Sequence, residues 1–338
     1  MFSSIRSATL LGIQGTPISV EVHIGSGLPG FTVVGLPDEA CREARDRVRA
    51  ALLSSGAEWP NKKITVNLAP SSQRKGGVGL DLALAMGILS ASGQMSSDNL
   101  AEYSFVAELG LDGSLRPVPG AAPLVAGLRE SRVVVALPNA REAKVASPRS
   151  IHCAATLRDV VLALRGDGEW LDTSTQEKIH ASSHIADMSD VRGQPTARLA
   201  AEIAAAGSRH ILFVGSPGAG KTMIAERLPG LLPPLTNEEA VTATMIHSAA
   251  GASLPPGGLI TFPPFRAPHH SASMIAMVGG GSSVLRPGEA SLAHSGVLFL
   301  DEVGEFMPSV LDALRQPLEE GEVRIARASA GITLPARF

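Results

Sequence analysis

The sequence has 338 residues, of which 44% are apolar and 18% are charged, and its formal net charge is -3 at pH 7. The apolar content excludes a disordered chain, and the weak net charge excludes a global attraction for nucleic acid or for an acidic membrane surface. The length predicts roughly two domains, each able to bury its own core.

Cysteine usage and hydropathy predict the compartment. The two cysteines, Cys41 and Cys153, lie far apart without CxxC spacing, which fits a reducing environment and argues against a disulfide framework or a zinc site. The sequence has neither a signal-peptide core nor an apolar run of about 18 residues. We therefore expect a cytoplasmic protein with no membrane partner.

The first part of the chain alternates strand-like and helix-like patterns. Runs of β-branched residues predict strands over 18–24, 31–34, 64–68, 105–109 and 133–137. Asp38 is a good N-cap for a helix that places four residues on one apolar stripe: Cys41, Ala44, Val48 and Leu52. These patterns predict an α/β domain over residues 1–165.

Three arginines share another face of this helix: Arg42, Arg45 and Arg49. Acidic residues alternate with them, so the pattern favours a salt-bridged, solvated face over a DNA-binding patch.

A polar stretch over 166–190 predicts a linker, and residues 191–338 a second α/β domain. Its patterns predict helices over 197–206, 237–249 and 308–319, buried strands over 210–214 and 297–300, and a β-hairpin over 322–337.

The strand predicted over 210–214 leads into a phosphate-binding motif. The motif has the spacing GxxxxGK(S/T), known as Walker A, and consists of Gly215, Ser216, Pro217, Gly218, Ala219, Gly220, Lys221 and Thr222. Glycines allow backbone N–H groups to curl around phosphates. Lys221 is predicted to reach the β- and γ-phosphates of ATP, and the Thr222 hydroxyl to hold Mg²⁺.

The second predicted strand ends in two carboxylates, as a Walker B motif does. Asp301 is predicted to bind Mg²⁺ through its water shell, and Glu302 to orient or deprotonate the attacking water. Such a pair is common on surfaces, but together with the preceding loop it predicts ATP hydrolysis with Mg²⁺.

Longer motifs resemble the AAA+ core of ComM/YifB-type Mg-chelatase-like ATPases, a family connected with competence. They are GSPGAGKT at 215–222, FRAPHHSAS at 265–273, RPGEASLAHSGVLFLDE at 286–302 and LRQPLEEGEVRIARA at 314–328. Two N-terminal segments are similar to the N-terminal domain of that family: GLPGFTVVGLPDEACREARDRVRAAL at 27–52 and NKKITVNLAP at 61–70. The resemblance covers essentially the whole chain.

The resemblance implies a ribosomal-S5/Lon-protease-like α+β domain followed by a P-loop AAA+ α/β core with a parallel sheet. Lon-type proteases use a Ser nucleophile activated by a Lys. Alignment with their motifs puts Gly79 at the Ser position and Ala122 at the Lys position. Neither residue has the required atoms, so we expect a binding or assembly module and not a protease.

The resemblance also implies roles for three further segments. Gln194 resembles a residue near the adenine of related motors, and FRAPHH at 265–270 corresponds to a region of inserts that project into a ring pore. His269 and His270 lack a third metal ligand at sensible spacing, which favours a structural or pore-loop role. For Arg324 and Arg327 on the hairpin two roles remain open: they are solvated surface residues, or they contact DNA phosphates.

Three functions remain open. The resemblance implies a homo-hexameric ring in the full-length form, with DNA as partner, acting as a helicase or in branch migration. The alternatives are a chelatase-type ATPase that remodels a metal-insertion partner, and a nucleotide-binding interaction module without turnover. The sequence stops before the sensor, lid and arginine finger of the family, so we expect this chain to be a weak ATPase.

Overall fold

A computed structural model of the chain describes residues 1–70, 78–128, 131–146, 151–172, 186–281, 285–326 and 331–338. These residues form two compact units. Unit 1 comprises the described residues up to 172, the segment His247–Gly258 and Leu285, and unit 2 comprises 186–246, Leu259–Gly281 and Arg286–Phe338. Residues 173–185 of the predicted linker lie outside the described residues.

Unit 1 is built on a mixed sheet in which most strand pairs are parallel. Its strands are β1 (Phe2–Leu11), β2 (Gln14–Gly25), β3 (Gly30–Val34), β4 (Lys63–Ala69), β5 (Tyr103–Val106), β8 (Arg132–Ala136) and β9 (Ile151–Ala154), with the short pair β6 (Glu108–Leu109) and β7 (Leu115–Arg116) beside them. Among the described residues the sheet order is β3-β4-β2-β1-β5-β8-β9. Within this sheet, as far as the described residues form it, β1·β2 and β2·β4 are antiparallel and the other four pairs are parallel. The α/β prediction is confirmed at this level.

Helices cover both faces of this sheet. They are α1 (Glu39–Ser54), α2 (Asp81–Ala91), α3 (Ala121–Ala126), α4 (Ala140–Ala146) and α5 (Leu157–Arg165). One core joins α1, α2 and α5 to the sheet, and a second joins α3 and α4 to it. The predicted Asp38 cap is confirmed, because its Oδ1 accepts the N–H of Cys41 at 2.9 Å. All four residues of the predicted stripe are buried.

A buried ion pair ties α1 to the start of α2. Arg47 donates from Nε to Asp81 Oδ2 at 2.7 Å and from Nη2 to Oδ1 at 3.1 Å. The Asp81 side chain is 1% exposed. The charge pattern of this helix gives no sign of the Arg47 pair, because its partner is 34 residues away.

Two backbone N–H groups at the start of α3 find their hydrogen-bond acceptors in the segment His247–Gly258. The N–H of Gly120 donates to the Ser248 carbonyl at 2.8 Å, and the N–H of Ala122 donates to the Ser248 hydroxyl at 3.3 Å. Gly79 and Ala122, which the protease comparison singled out, both belong to this unit. The ribosomal-S5/Lon-like assignment of this domain stays a prediction.

Unit 2 has shorter elements. Its helices are α6 (Pro195–Gly207), α7 (Lys221–Ala225), α8 (Leu228–Leu231), α9 (Asn237–Ala250), α10 (Met274–Val278), α11 (Glu289–Leu292), α12 (Pro308–Ala313) and α13 (Arg315–Glu320), of which α9 runs from His247 into unit 1. Its strands are β10 (Phe265–Arg266), β11 (Gly279–Gly280), β12 (Arg286–Pro287), β13 (Val297–Leu298), β14 (Glu322–Ala326) and β15 (Gly331–Pro335). Among all described residues, no helix has the length and apolarity needed to span a bilayer.

The prediction of a buried strand over 210–214 is wrong in this structure. The segment has no strand assignment, and Leu212 and Val214 are 75% and 87% exposed. Ile211 and Phe213 pack inward against a small core with α6 and α7. The sequence has the propensity of a strand, but no strand among the described residues pairs with it, so one face stays uncovered. The strand predicted over 297–300 is present only as β13, paired in parallel with β10.

The predicted hairpin is present as the antiparallel pair β14·β15. Arg324 on β14 lies 3.2 Å from Glu320 and 3.8 Å from Glu322, and Arg327 lies outside the described residues. Behind the hairpin, the nearly buried His294 accepts the N–H of Arg337 on Nδ1 at 3.1 Å.

We expect His294 to make the stability of unit 2 depend on pH. Burial, and next the charge of Arg337, lower the pKa of His294 below its usual 6.5, although Glu239 partly opposes this. The unfolded chain therefore binds a proton at this histidine near pH 6.5, whereas the folded chain does not. The stability that is present above that pH is lost as the pH falls below it. In thermal unfolding between pH 8 and 5, the His294→Asn variant should show a smaller decrease in Tm than the wild type. Equal slopes in the two proteins would contradict this role.

Candidate functional site

The loop 215–222 contains two glycines whose backbone no other residue adopts easily. Gly218 has φ 78° and Gly220 has φ 87°, both in the left-handed region. Gly220 is also the N-cap of α7, so the left-handed turn leads directly into Lys221 and Thr222. The helix that follows is only five residues long.

We expect alanine at either glycine to be strained. A left-handed backbone costs an L-residue about 1–2 kcal/mol, which lowers the Tm of a domain of this size by roughly 2–4 °C per kcal/mol. Gly218→Ala and Gly220→Ala should show this decrease in thermal unfolding without nucleotide. The control is Gly215→Ala in the same loop, because an added Cβ there meets only the Ala219 Cβ at an ordinary 3.7 Å. Equal decreases in all three variants would contradict the conformational explanation.

The loop and the acidic pair meet in space. The Thr222 hydroxyl lies 3.2 Å from Asp301 Oδ2, and a cavity of unit 2 is lined by the loop together with Asp301, Glu302 and His270. Lys221 Nζ donates to the carbonyls of Gly215 and Ser216, each at 3.0 Å.

The residues present fit a magnesium ion. A hydroxyl and a carboxylate are hard oxygen donors, of the kind that Mg²⁺ takes directly or through its bound water, and here the Thr222 hydroxyl and Asp301 Oδ2 lie 3.2 Å apart. Within the described part of the chain, no group of three or more His, Cys, Asp or Glu side chains could hold a metal by itself. Magnesium with one or two protein ligands and several phosphate or water ligands suits this arrangement.

Two of the predicted site residues have unusual backbones. Gln194 has φ 52° and Glu302 has φ 51°, a region that costs energy for residues other than glycine. Gln194 precedes α6, and its Nε2 donates to the Ala219 carbonyl of the loop at 3.3 Å. The Glu302 N–H donates to Asp301 Oδ1 at 3.0 Å. Strained residues are frequent at functional sites, and sequence reasoning could not have seen this strain.

The FRAPHH segment also lies at the site, and its role among pore inserts stays a prediction. Its first two residues are β10, next to β13. Arg266 forms a bidentate pair with Glu289 at 2.6 and 2.7 Å, and these hydrogen bonds raise the pKa of Arg266 above its usual value. The segment then brings His270 Nδ1 to 3.6 Å from Glu302 Oε2. Local spacing gave no signal for this contact.

Comparison with known proteins defines the class. Residues 187–338 match the family model described as "Magnesium chelatase, subunit ChlI", and residues 20–140 match one described as "Subunit ChlI of Mg-chelatase". These matches place the chain among the Mg-chelatase-like proteins of the AAA+ ATPase class.

Full-length relatives define the family more closely. The chain is 46% identical to Competence protein ComM of Haemophilus influenzae and 46% identical to the uncharacterized protein YifB of Salmonella typhimurium. It is 45% identical to the uncharacterized protein YifB of Escherichia coli. Each comparison covers 99% of this chain and 66% of the relative. The chain belongs to the ComM/YifB family, and it spans about two thirds of the length of these relatives.

Proposed function

We propose that this chain binds ATP with Mg²⁺ at the loop 215–222 and hydrolyses it, as the nucleotide-binding part of a ring-forming motor that acts on DNA. The observation that carries the proposal is the contact between Thr222 and Asp301 at 3.2 Å. It joins a phosphate-binding loop to an acidic pair 79 residues later in the chain.

Each site residue has a proposed task. The backbone of the loop binds the phosphates, and Lys221 exchanges its present carbonyl partners for phosphate oxygens. Thr222 and Asp301 hold Mg²⁺, which when bound neutralises charge on the β- and γ-phosphates. Glu302 orients the attacking water and accepts its proton. Gln194 supports the loop at the proposed adenine side.

The DNA and ring parts of the proposal rest on membership of a family that contains a competence protein. The net charge gives no general attraction for DNA, so contact must be local. Arg324, the described arginine of the hairpin, already contacts two carboxylates. We therefore propose that DNA contact forms on the assembled ring.

The proposal is tested by titrating the chain with Mg-ATP in a calorimeter and then measuring phosphate release with and without forked DNA. We expect one nucleotide per chain and a turnover that forked DNA increases. An absence of binding would refute the nucleotide site. Turnover that DNA leaves unchanged would refute only the DNA part, and binding without turnover would favour the interaction module.

A chelatase-type motor is the second candidate. The descriptions of both family models name the ChlI subunit of magnesium chelatase, and one of the models matches the N-terminal residues 20–140. Such a motor would use ATP to remodel a partner that inserts Mg²⁺ into a porphyrin. Porphyrin metallation that requires this chain, its ATP and added partner subunits would favour this reading over the DNA motor.

A further inference from the structure

The imidazole of His270 stands beside the carboxylate of Glu302. His270 Nδ1 is 3.6 Å from Glu302 Oε2, slightly longer than a hydrogen bond. Hydrogen bonds at catalytic sites are often long in the free protein and shorten when substrate binds. The two side chains are therefore placed to form one.

Packing makes His270 the more firmly held of the two residues. Its ring stands edge-on to Phe306, with centroids 6.5 Å apart and an interplanar angle of 81°, and Phe306 is 3% exposed in a core of unit 2. The ring of His269 also packs against the ring of His270, with their centroids 4.0 Å apart. The His270 side chain is 36% exposed and that of Glu302 is 69% exposed. A hydrogen bond between them would therefore orient Glu302 against His270, and not the reverse.

The backbone of Glu302 is already fixed, whereas its side chain is not. The left-handed turn is held by the hydrogen bond from the Glu302 N–H to Asp301 Oδ1 and by that from the Glu305 N–H to the Glu302 carbonyl at 2.8 Å. A glutamate has three rotatable side-chain bonds, so an exposed carboxylate still samples many positions. A general base acts only within hydrogen-bond reach of the water, and a partner that limits this sampling therefore raises the rate.

We propose that His270 is a positioning residue for ATP hydrolysis: its Nδ1–H donates to one carboxylate oxygen of Glu302 and leaves the other oxygen to receive the proton of the attacking water. This inference rests on the proposed function of Glu302. His269 does not share the role, because its Nδ1 is paired with the Ser271 hydroxyl at 2.8 Å.

The first test needs no turnover. The side-chain nitrogen signals of the histidines are recorded by NMR in the wild type and in Glu302→Gln, at one pH. The His270 signal should move, while that of His294, which accepts from Arg337, should stay in place. An unmoved His270 signal would show that the contact does not exist in solution and would overturn the inference, whether or not ATP is hydrolysed.

The second test measures ATP turnover and Mg-ATP binding separately. His270→Ala should lower kcat roughly 10-fold or more, as misplacement of a catalytic group does, with the Kd for Mg-ATP unchanged. His270→Asn, whose amide can donate from about the position of Nδ1, should recover part of the loss. His269→Phe keeps a ring against His270 without the imidazole nitrogens, and it should stay within about twofold of the wild type. In a Glu302→Gln background, His270→Ala should cause no further loss.

The outcomes separate the two proposals. A chain that fails to bind Mg-ATP, or that binds it without turnover, contradicts hydrolysis at this site and with it the role of His270. A wild type that hydrolyses ATP alongside an equally active His270→Ala overturns the positioning role alone. A loss of the same size in His269→Phe, or a further loss in the Glu302→Gln background, also overturns it, because the effect would then not pass from His270 through Glu302.

Discussion

Replacement of Glu302 by Gln is expected to lower ATP turnover by about 100-fold or more while Mg-ATP still binds. Glutamine keeps the size and hydrogen-bonding shape of the side chain but cannot accept a proton from the attacking water, and general-base catalysis contributes typically 10²–10⁴-fold. Phosphate release and calorimetric binding, measured on the same preparation, check the two halves of this expectation. Glu226→Gln, at an exposed glutamate on the same unit, is the matched control. Normal turnover in Glu302→Gln would remove Glu302 from the role of base.

A glycine variant at the same position separates strain from chemistry. Glu302→Gly should be as inactive as Glu302→Gln, since both lack the carboxylate. Glycine adopts the left-handed backbone freely, which relieves about 1–2 kcal/mol, although it adds flexibility to the unfolded chain worth about 0.4–1 kcal/mol. Thermal unfolding should therefore show the Gly variant to be at least as stable as the Gln variant. A clearly less stable Gly variant would mean that the turn is not strained.

Replacement of Lys221 by Met is expected to weaken Mg-ATP binding by roughly 30- to 140-fold. Hydrogen bonds to charged groups contribute about 2–3 kcal/mol at the upper end of their range, and every 1.4 kcal/mol is tenfold in Kd. Methionine keeps the length and apolar stem of lysine without its charge. Calorimetric titration at constant ionic strength measures the effect.

Arg286→Met provides the control for the loss of one positive charge. Arg286 is an exposed residue of unit 2 on β12, and we expect Mg-ATP binding to change less than about twofold there, because exposed charges are screened by salt. An unchanged affinity in Lys221→Met, or equal decreases in both variants, would mean that the nucleotide binds elsewhere.

The candidate site could be predicted from sequence where short patterns carry its chemistry. The loop 215–222 is a continuous motif, and the acidic pair follows an apolar run, so each half was visible alone. Their meeting at the Thr222–Asp301 contact was expected because a phosphate-binding loop and an acidic pair must act on the same Mg-nucleotide to hydrolyse it. The positions of His270 against Glu302 and of Arg47 against Asp81 have no local pattern, because each depends on chain segments that only the folded structure brings together.

Strand prediction failed at β1 and over 210–214 for opposite reasons. β1 was missed because serines interrupt its apolar pattern, although Ser3 and Ser7 are buried and donate to the carbonyls of Gly87 and Phe105, each at 2.7 Å. The buried strand over 210–214 was predicted because HILFV has a high strand propensity. Propensity does not supply a pairing partner, and sheet formation depends on neighbours more than on the residue itself.

The placement of His247–Gly258 decides how the protein can be divided for study. A fragment ending at residue 172 would lack Ser248, whose carbonyl and hydroxyl receive two buried N–H groups at the start of α3. Each buried donor left without an acceptor costs about 1–3 kcal/mol, a large part of the stability of an ordinary domain. A simple truncation is therefore expected to give an unstable product. Independent expression of unit 1 calls for a chimera in which a short linker joins residues 247–258 to the end of the N-terminal fragment.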